Sequence, residues 1–308
     1  MLLNMKRFCL LIVLLVAATA AYAQKTPVAN DAPIIPEKET VVVDNFTAVP
    51  NLTLGFYQYA RQCILEGLSY RRINVIDVEQ DGYGRPDIVY PAPEFANAGA
   101  GHPFDINRVA RLMNDYPEVR WYLTAYISRI HNHPVDHQSK DKDGKPVVRT
   151  DFTAEVEADI YLFDMETQEG TGPIHWKSTY TGGHDPAHAE QHVISYLSQK
   201  ARSFVTDFFR YKASVIKLGE YNRRGKLQDL YLSCGSDIDV ERGDVFHIYS
   251  VSLIDGVESM KKLGKVKARE VTGRESCRCT VSSGEADIDR AFKAGETLVA
   301  VSDNDRLF

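Results

Sequence analysis

The segment FTAEVEADIYLF, residues 152–163, constrains the fold more than any other, because small and apolar residues alternate with polar ones along most of its length. A period of two places the two sets of side chains on opposite faces of a β-strand, so the segment predicts a long strand with one buried face. Residues 119–127 alternate in the same way and predict a second long strand. The polar stretch 131–146 between them contains Asp143-Gly144, a turn pair, and predicts a mobile tip that closes the hairpin.

Segments with helical periodicity flank this hairpin. Apolar residues recur at helical spacing after Leu52 and predict a helix that packs on a sheet. Asp105 is the predicted N-cap of a further helix, and Asp185-Pro186 is the predicted start of a long helix that runs to about Lys212. Three further strands are predicted in this half, at residues 40–46, 73–78 and 174–180. Residues 80–103 are rich in glycine and proline and predict a loop.

From Ala213 onward the chain changes to short β-type runs that are separated by glycine and polar turns. One phrase recurs: DIDVERGDVFHIYS begins at Asp237, and DIDRAFKAGETLVAVS begins at Asp287. Each copy predicts an acidic turn, then Gly243 or Gly295, then a strand, so the two turns are expected at equivalent corners. Six short strands in about 90 residues predict a small β-barrel.

The chain begins with a predicted secretory signal peptide. Lys6 and Arg7 precede an apolar run, residues 8–20, that is short for a membrane span, and residues 21–23 (AYA) fit the small-x-small cleavage pattern. No later segment of the sequence is apolar enough for a membrane helix. Cleavage after Ala23 removes two basic residues and changes the net charge from −6 to −8, which disfavours both nucleic acid and anionic lipid as partners.

A chain of this length is expected to form two domains. The change of pattern near Ala213 is the predicted boundary between them. The prediction is a signal peptide at residues 1–23 and a Pro-rich flexible leader at residues 24–38. An α/β domain follows at residues 39–212, then a small β-barrel domain at residues 213–303 and a short tail at residues 304–308.

Five phrases carry a family resemblance, at residues 41–46 (VVVDNF), 75–78 (VIDV), 120–125 (RWYLTA), 162–170 (LFDMETQEG) and 243–249 (GDVFHIY). The first four resemble the α/β domain of CsgG-like curli-secretion proteins, LpoB-like activators of cell-wall synthases, the middle domain of the flagellar protein FlgT and the N-terminal domain of TolB. The fifth resembles the small barrel that ends FlgT. The resemblance implies an α/β (α+β) sandwich domain of TolB-N/CsgG type, followed by a small SH3-like β-barrel.

The resemblance also implies a place and a role. It implies an exported protein of the bacterial periplasm, peripheral at the outer membrane, that acts as a non-enzymatic accessory or assembly protein. Such a protein would bind one or more other envelope proteins and need no cofactor, and homo-oligomerisation is left open. The sequence departs from the families at Ala125, where glycine is usual, at residues 167–172 (TQEGTG), and in lacking the lipid-attachment cysteine of CsgG and LpoB.

Two other functions stay open at this point. In the first, residues 119–130 and 152–162 form a hairpin that spans the outer membrane, as in a CsgG-like secretion pore, because one face is apolar and the length fits. In the second, surface histidines make the chain a metal-dependent binding protein. An enzyme is not expected, since the sequence contains no nucleophile motif, phosphate-cradling glycine loop or zincin motif.

Two groups of histidines are the candidate metal ligands. His188 and His192 are four residues apart on the predicted long helix, but at about 100° per residue they lie opposite its apolar stripe, and His184 precedes the helix. We therefore expect a solvated helix face rather than a metal site. The second group occupies the polar tip and consists of His131, His133 and His137. Its His-x-His pair would point both rings the same way on a strand, but no metal is expected there either.

The cysteines of the folded part are expected to be buried. Cys63 lies on the packed face of the first predicted helix, and Cys277 and Cys279 alternate with polar residues on one face of a predicted strand. Core thiols are the first interpretation of Cys277, Cys279 and Cys234. Export also permits a disulfide from Cys234 to Cys277 or Cys279, whereas a metal site built from these cysteines is disfavoured.

Overall fold

A computed structural model describes residues 33–44, 46–49, 52–78, 106–254 and 256–303. In these ranges the chain forms a mixed α+β region built on one sheet, followed by a closed six-stranded β-barrel, which confirms the coarse prediction of fold class. No helix in these ranges combines the length and the apolar character that crossing a membrane requires. The predicted signal peptide, the loop at 80–103, the N-cap Asp105 and the tail at 304–308 lie outside the described residues.

The sheet is parallel in one half and antiparallel in the other. β1 (Glu39–Val43) lies between β3 (Ile73–Asp77) and β4 (Trp121–Lys140) and runs parallel to both. β5 (Pro146–Asp164) and β6 (Glu169–Gly183) follow in antiparallel order, which gives the order β3-β1-β4-β5-β6. The short strand β2, Thr47–Ala48, pairs with β4. The central strand β1 is buried over its last three residues, as its continuous apolar sequence predicts.

The β4–β5 hairpin is longer than predicted. Its strands pair as far as Lys140↔Pro146, so the prediction of a mobile tip over residues 131–146 is wrong for all but the turn. A two-stranded ribbon requires only paired backbone groups, and polar pairs such as Thr150 Oγ1 with Asp136 Oδ1, 2.7 Å apart, add support. The predicted turn is confirmed, with Gly144 at a φ of +78°.

Three helices pack on the sheet. α1 (Leu54–Leu68) and α3 (Pro186–Phe208) lie on one face, and α2 (Ile106–Asp115) lies on the other. α1 and α3 approach closely because Gly67 has no side chain, and a Cβ there would lie 2.3 Å from the backbone oxygen of Ser198. The apolar stripe predicted for α3 is buried or half-buried in this core.

The start of α3 agrees with the sequence, and its end does not. Asp185 is the N-cap, and its Oδ1 accepts a hydrogen bond from the His188 N–H at 2.8 Å, while Pro186 is the first helical residue. The helix ends at Phe208 rather than near Lys212. Phe209 already leaves the helical conformation, at φ −89° and ψ 66°, because the chain turns there into the first barrel strand.

All six short runs predicted in the C-terminal part are strands. In chain order they are β7 to β12, at Lys212–Leu218, Asp229–Leu232, Val245–Ile254, Val257–Val271, Cys277–Ser283 and Thr297–Asp303. They close into a barrel in the order β10-β11-β8-β7-β12-β9. Its core, which includes Leu230, Phe246 and Ile248, is a separate cluster from that of the sheet.

The repeated phrase adopts two different local structures. Its first copy contains a single 3₁₀ turn, Ser236–Ile238, whereas its second copy forms α4 (Glu285–Lys293) in place of the predicted acidic turn. Gly243 and Gly295 both have positive φ, +104° and +76°, and both precede a strand, as predicted. Because β9 and β12 are antiparallel neighbours, the two glycines lie at opposite ends of the barrel rather than at equivalent corners.

Specific contacts join the sheet region to the barrel. Arg71 follows α1 and donates to Asp244 at 2.9 Å between Nη1 and Oδ1, and these two side chains are only 6% and 2% exposed. The described end of the predicted flexible leader is also held, since the Ile34 N–H donates to Ser214 Oγ at 2.8 Å. The division into domains at residues 39–212 and 213–303 stays a prediction.

Candidate functional site

β6 ends the sheet and has an open side. It pairs with β5, and no strand in the described part of the chain pairs with its other side. An edge strand presents main-chain N–H and C=O groups with which another extended chain can pair. Pro173 lacks an N–H and interrupts the first half of this edge, so its continuous part is residues 174–183.

A groove of about 380 Å³ lies beside this edge, between β6 and α3. Its lining residues are mostly polar, and they are Lys177, Ser178, Thr179, Tyr196, Gln199, Lys200 and Ser203. Of the three from β6, alternation directs only the Ser178 side chain toward α3. α3 contributes four of these residues, Tyr196, Gln199, Lys200 and Ser203. Their spacing along the helix places them on one face. We call the edge at residues 174–183 together with this groove the β6 groove.

The sheet face opposite α3 carries carboxylates that are largely paired. Glu155, Glu157 and Asp159 alternate along β5, and their side chains are 20–22% exposed. Lys177 Nζ lies 3.1 Å from Glu157 and 3.4 Å from Glu155, and hydrogen bonding to Glu157 raises the pKa of Lys177. Lys200 has no ion-pair partner among the described residues, so it is the groove cation that an incoming acidic group could neutralise.

Three histidines and a tyrosine stack next to the β6 groove. The ring centroids of His184 and His188 are 4.1 Å apart, those of His188 and His192 are 4.4 Å apart, and those of His192 and Tyr180 are 4.6 Å apart. Tyr180 belongs to β6 and its ring lies 6.3 Å from that of Tyr196, which lines the groove. We call these three histidines with Tyr180 the histidine stack.

The histidine stack corrects the prediction for this helix end. His184 precedes α3 but does continue the ladder, since its ring lies over that of His188 across the extended backbone of Asp185. His192 is exposed, as predicted, but His188 is half-buried, and its Nδ1 is buried without a hydrogen-bond partner in the described part of the chain. Burial lowers the pKa of His188 from its ordinary value, and His184 and His192 lower it further.

The second group of histidines lies elsewhere. Asn132 hydrogen-bonds to Glu190 of α3, so alternation along β4 directs its neighbours His131 and His133 to the opposite face of the sheet. Those two rings are stacked with centroids 5.9 Å apart, which agrees with the predicted common direction. His137 lies further along the hairpin, with Nε2 3.5 Å from Asp151.

The described residues do not bring the two groups of histidines together. Nor do they contain a cluster of three or more histidine, cysteine, aspartate or glutamate side chains arranged to hold a metal ion. Within the histidine stack, His192 is stacked on Tyr180 with an interplanar angle of 12°, whereas the other two ring pairs are tilted, at 48° and 58°. The expectation that neither group binds a metal specifically stays a prediction.

The cysteines lie in the cores, as predicted. Cys63 is buried on α1, and Cys277 and Cys279 are fully buried on one face of β11 inside the barrel. Cys277 Sγ lies 3.7 Å from Cys234 Sγ and 3.6 Å from Cys279 Sγ, and all of these thiols are free. Hydrogen bonding to Cys277 and burial raise the pKa of Cys234 and of Cys279. A disulfide from Cys234 stays a prediction.

Comparisons with known proteins do not identify a family. No family model matches the chain, and no curated protein matches it. Among solved structures it is similar to the hypothetical protein CT253 of Chlamydia trachomatis, with 10% identity, 55% of this chain and 99% of that chain covered, and a TM-score of 0.30.

Two further solved structures are similar at the same level. The lipoprotein GNA1162 of Neisseria meningitidis has 12% identity, with 53% of this chain and 98% of that chain covered and a TM-score of 0.28. The PelC dodecamer of Paraburkholderia phytofirmans has 13% identity, with 55% and 92% covered and a TM-score of 0.24. At these values the likenesses support no assignment of function.

Proposed function

We propose that this protein is a non-enzymatic accessory or assembly protein of the bacterial cell envelope, and that it binds another envelope protein at the β6 groove. The observation that carries the proposal is the open side of β6, whose continuous part borders a groove of about 380 Å³. The sequence resemblance to the CsgG, LpoB and TolB domains supports the envelope, and the predicted signal peptide supports the periplasm, peripheral to the outer membrane.

The chemistry of the β6 groove fits an extended peptide segment. Addition of a strand to a sheet edge gains main-chain hydrogen bonds, and neighbouring pockets then select alternate side chains of the incoming strand. Here those side chains would meet hydroxyl and amide groups from Ser178, Ser203 and Gln199, together with the Lys200 ammonium group. The partner segment is therefore expected to be polar, with an acidic residue opposite Lys200.

The same arrangement argues for binding rather than for a reaction. The groove contains no paired nucleophile and base, and its one lysine next to carboxylates, Lys177, has a raised pKa that keeps it protonated. The described residues provide no specific observation that favours a secretion pore or a metal-dependent binding protein.

Two glutamines of α3 allow a matched test. Gln199 lines the groove, and Gln191 is exposed on the same helix outside it. Gln199→Trp should fill the groove and lower the recovery of the partner by roughly tenfold or more, as loss of an interface centre does. The measurement is a quantitative affinity pull-down after crosslinking in cells, with thermal unfolding to establish that each variant is folded.

The control is Gln191→Trp, which adds the same side chain and should leave recovery unchanged. If Gln199→Trp recovers the same partners in the same amounts as the wild-type chain, the β6 groove is not the binding surface.

A further inference from the structure

The β9–β10 hairpin extends beyond the barrel. β9 pairs with β12 only between Val245 and Val251, and β10 pairs with β11 only from Lys265 onward. Among the described residues, the strands of the intervening part therefore pair only with each other, as far as Ile254↔Val257. It ends in a short turn at Gly256, which has a φ of +81°.

The end of this hairpin is apolar and exposed. Leu253, Ile254, Val257 and Met260 are 43%, 59%, 69% and 36% exposed, and we call these four side chains the β9–β10 tip. Scattered single apolar residues are normal on a protein surface, but four at one projecting turn form a patch that requires an explanation.

The register places these side chains on both faces of the ribbon. Ile254 and Val257 are directly paired and share one face. Met260 is paired with Val251, and alternation along β9 puts Leu253 on that same second face. A groove on another protein would cover one face and leave the other in water, whereas lipid surrounds an inserted tip on every side.

Lysines lie directly behind the tip. Lys261 and Lys262 are exposed on β10, and Lys261 has no ion-pair partner among the described residues. Of the acidic side chains described nearby, Glu258 lies 3.4 Å from Lys212, and Glu296 hydrogen-bonds to Ser250, the residue paired with Lys261. The net charge of the whole chain disfavours anionic lipid, but at this hairpin an apolar end followed by cations matches the order of hydrocarbon and anionic headgroups in a membrane surface.

We infer that the β9–β10 tip inserts into the surface of an anionic lipid bilayer and that Lys261 and Lys262 contact its headgroups. This attachment goes beyond the proposed function and uses the barrel rather than the β6 groove. It would hold the protein peripherally on a membrane.

The test is sedimentation of the purified, processed chain with vesicles of phosphatidylcholine and phosphatidylglycerol, and with vesicles of phosphatidylcholine alone. The wild-type chain should sediment with the mixed vesicles. The double variant Ile254→Ser/Val257→Ser should reduce the bound fraction by about tenfold or more, because both apolar side chains of one face are lost. Lys261→Gln/Lys262→Gln should weaken binding to the mixed vesicles only, and added salt should do the same.

The β4–β5 hairpin supplies the matched control. Val147 and Val148 are exposed at 42% and 59% near its turn, so Val147→Ser/Val148→Ser removes similar side chains from another hairpin and should leave vesicle binding unchanged. The inference is overturned if the wild-type chain does not bind mixed vesicles, or if the two serine double variants bind equally. Either result leaves the Gln199 pull-down unaffected, so this inference and the proposed function can fail separately.

Discussion

Within the histidine stack, the surroundings of His188 lower its pKa. The pKa of His188 is lower in the folded chain than its ordinary value of about 6.5, so the unfolded chain binds this proton more readily as the pH falls. The stability that neutral His188 contributes is therefore complete above the ordinary pKa. It is lost as the pH falls below that value toward the lower pKa of the folded state.

We accordingly expect the melting temperature of the wild-type chain to fall between about pH 7.5 and about pH 5, and His188→Gln to make that fall smaller. Thermal unfolding at the two pH values measures both. His133→Gln, which changes an exposed histidine on the opposite face of the sheet, should keep the wild-type dependence. An equal fall in the wild-type and His188→Gln chains would mean that the stack is not linked to stability.

Residue-level predictions succeeded where the cause is local. Asp185 followed by Pro186 determines a helix start by itself, and the alternation of Cys277 with Cys279 determines a shared face. The stacking of Tyr180 on His192 could not be predicted, because it requires β6 to be the edge strand beside α3. Strand order follows from long-range pairing, which no local pattern of the sequence encodes.

At the scale of elements, hydrophobic periodicity predicts the strands that have one buried face. It does not predict strands that have no buried face. The outer part of the β4–β5 hairpin is mostly polar on both faces, with Val147 and Val148 exposed near its turn, so its strands carry no hydrophobic alternation. The sequence analysis predicts a turn in place of α4, because the repeated phrase suggests that both copies form the same turn. Its own signals were present: Glu285 and Asp287 are in the first turn, Arg290 and Lys293 in the last.

The two glycines before β9 and β12 should respond differently to substitution. Gly243→Val and Gly295→Val should each lower the free energy of unfolding by more than about 1 kcal/mol, because positive φ is costly for any residue with a Cβ. Gly295→Asn should recover most of that loss, since a φ of +76° is near the left-handed region that asparagine tolerates and nothing lies within 4 Å. Gly243→Asn should not, because a φ of +104° lies outside it.

Urea unfolding measures these differences in the free energy of unfolding. Gly55→Ala in α1 is the control: no atom lies within 4 Å of the added Cβ and φ is not positive there, so stability should stay equal or rise. If Gly295→Asn is as destabilising as Gly295→Val, backbone conformation is not what requires glycine at this position.

The whole molecule combines a sheet region that offers an open edge with a barrel that offers a projecting tip. The two are joined through the buried Arg71–Asp244 pair, whose partners are 173 residues apart in the sequence. Removal of either partner would leave the other buried charge without this ion pair. An ion pair between residues so far apart cannot be predicted from the sequence. The sheet region and the barrel could be predicted, because the hydrophobic pattern of the sequence changes at Ala213.

The central claim is that a partner chain lies along the β6 groove, and site-specific photo-crosslinking in cells tests it most directly. A photoreactive amino acid at Thr179 or at Gln199 should give adducts of one common mass on irradiation, because Thr179 lies on the open edge strand and Gln199 lines the groove from α3. At Thr150, an exposed threonine on the β4–β5 hairpin, it should give no such adduct. Adducts at Thr150 but at neither groove position would contradict the claim.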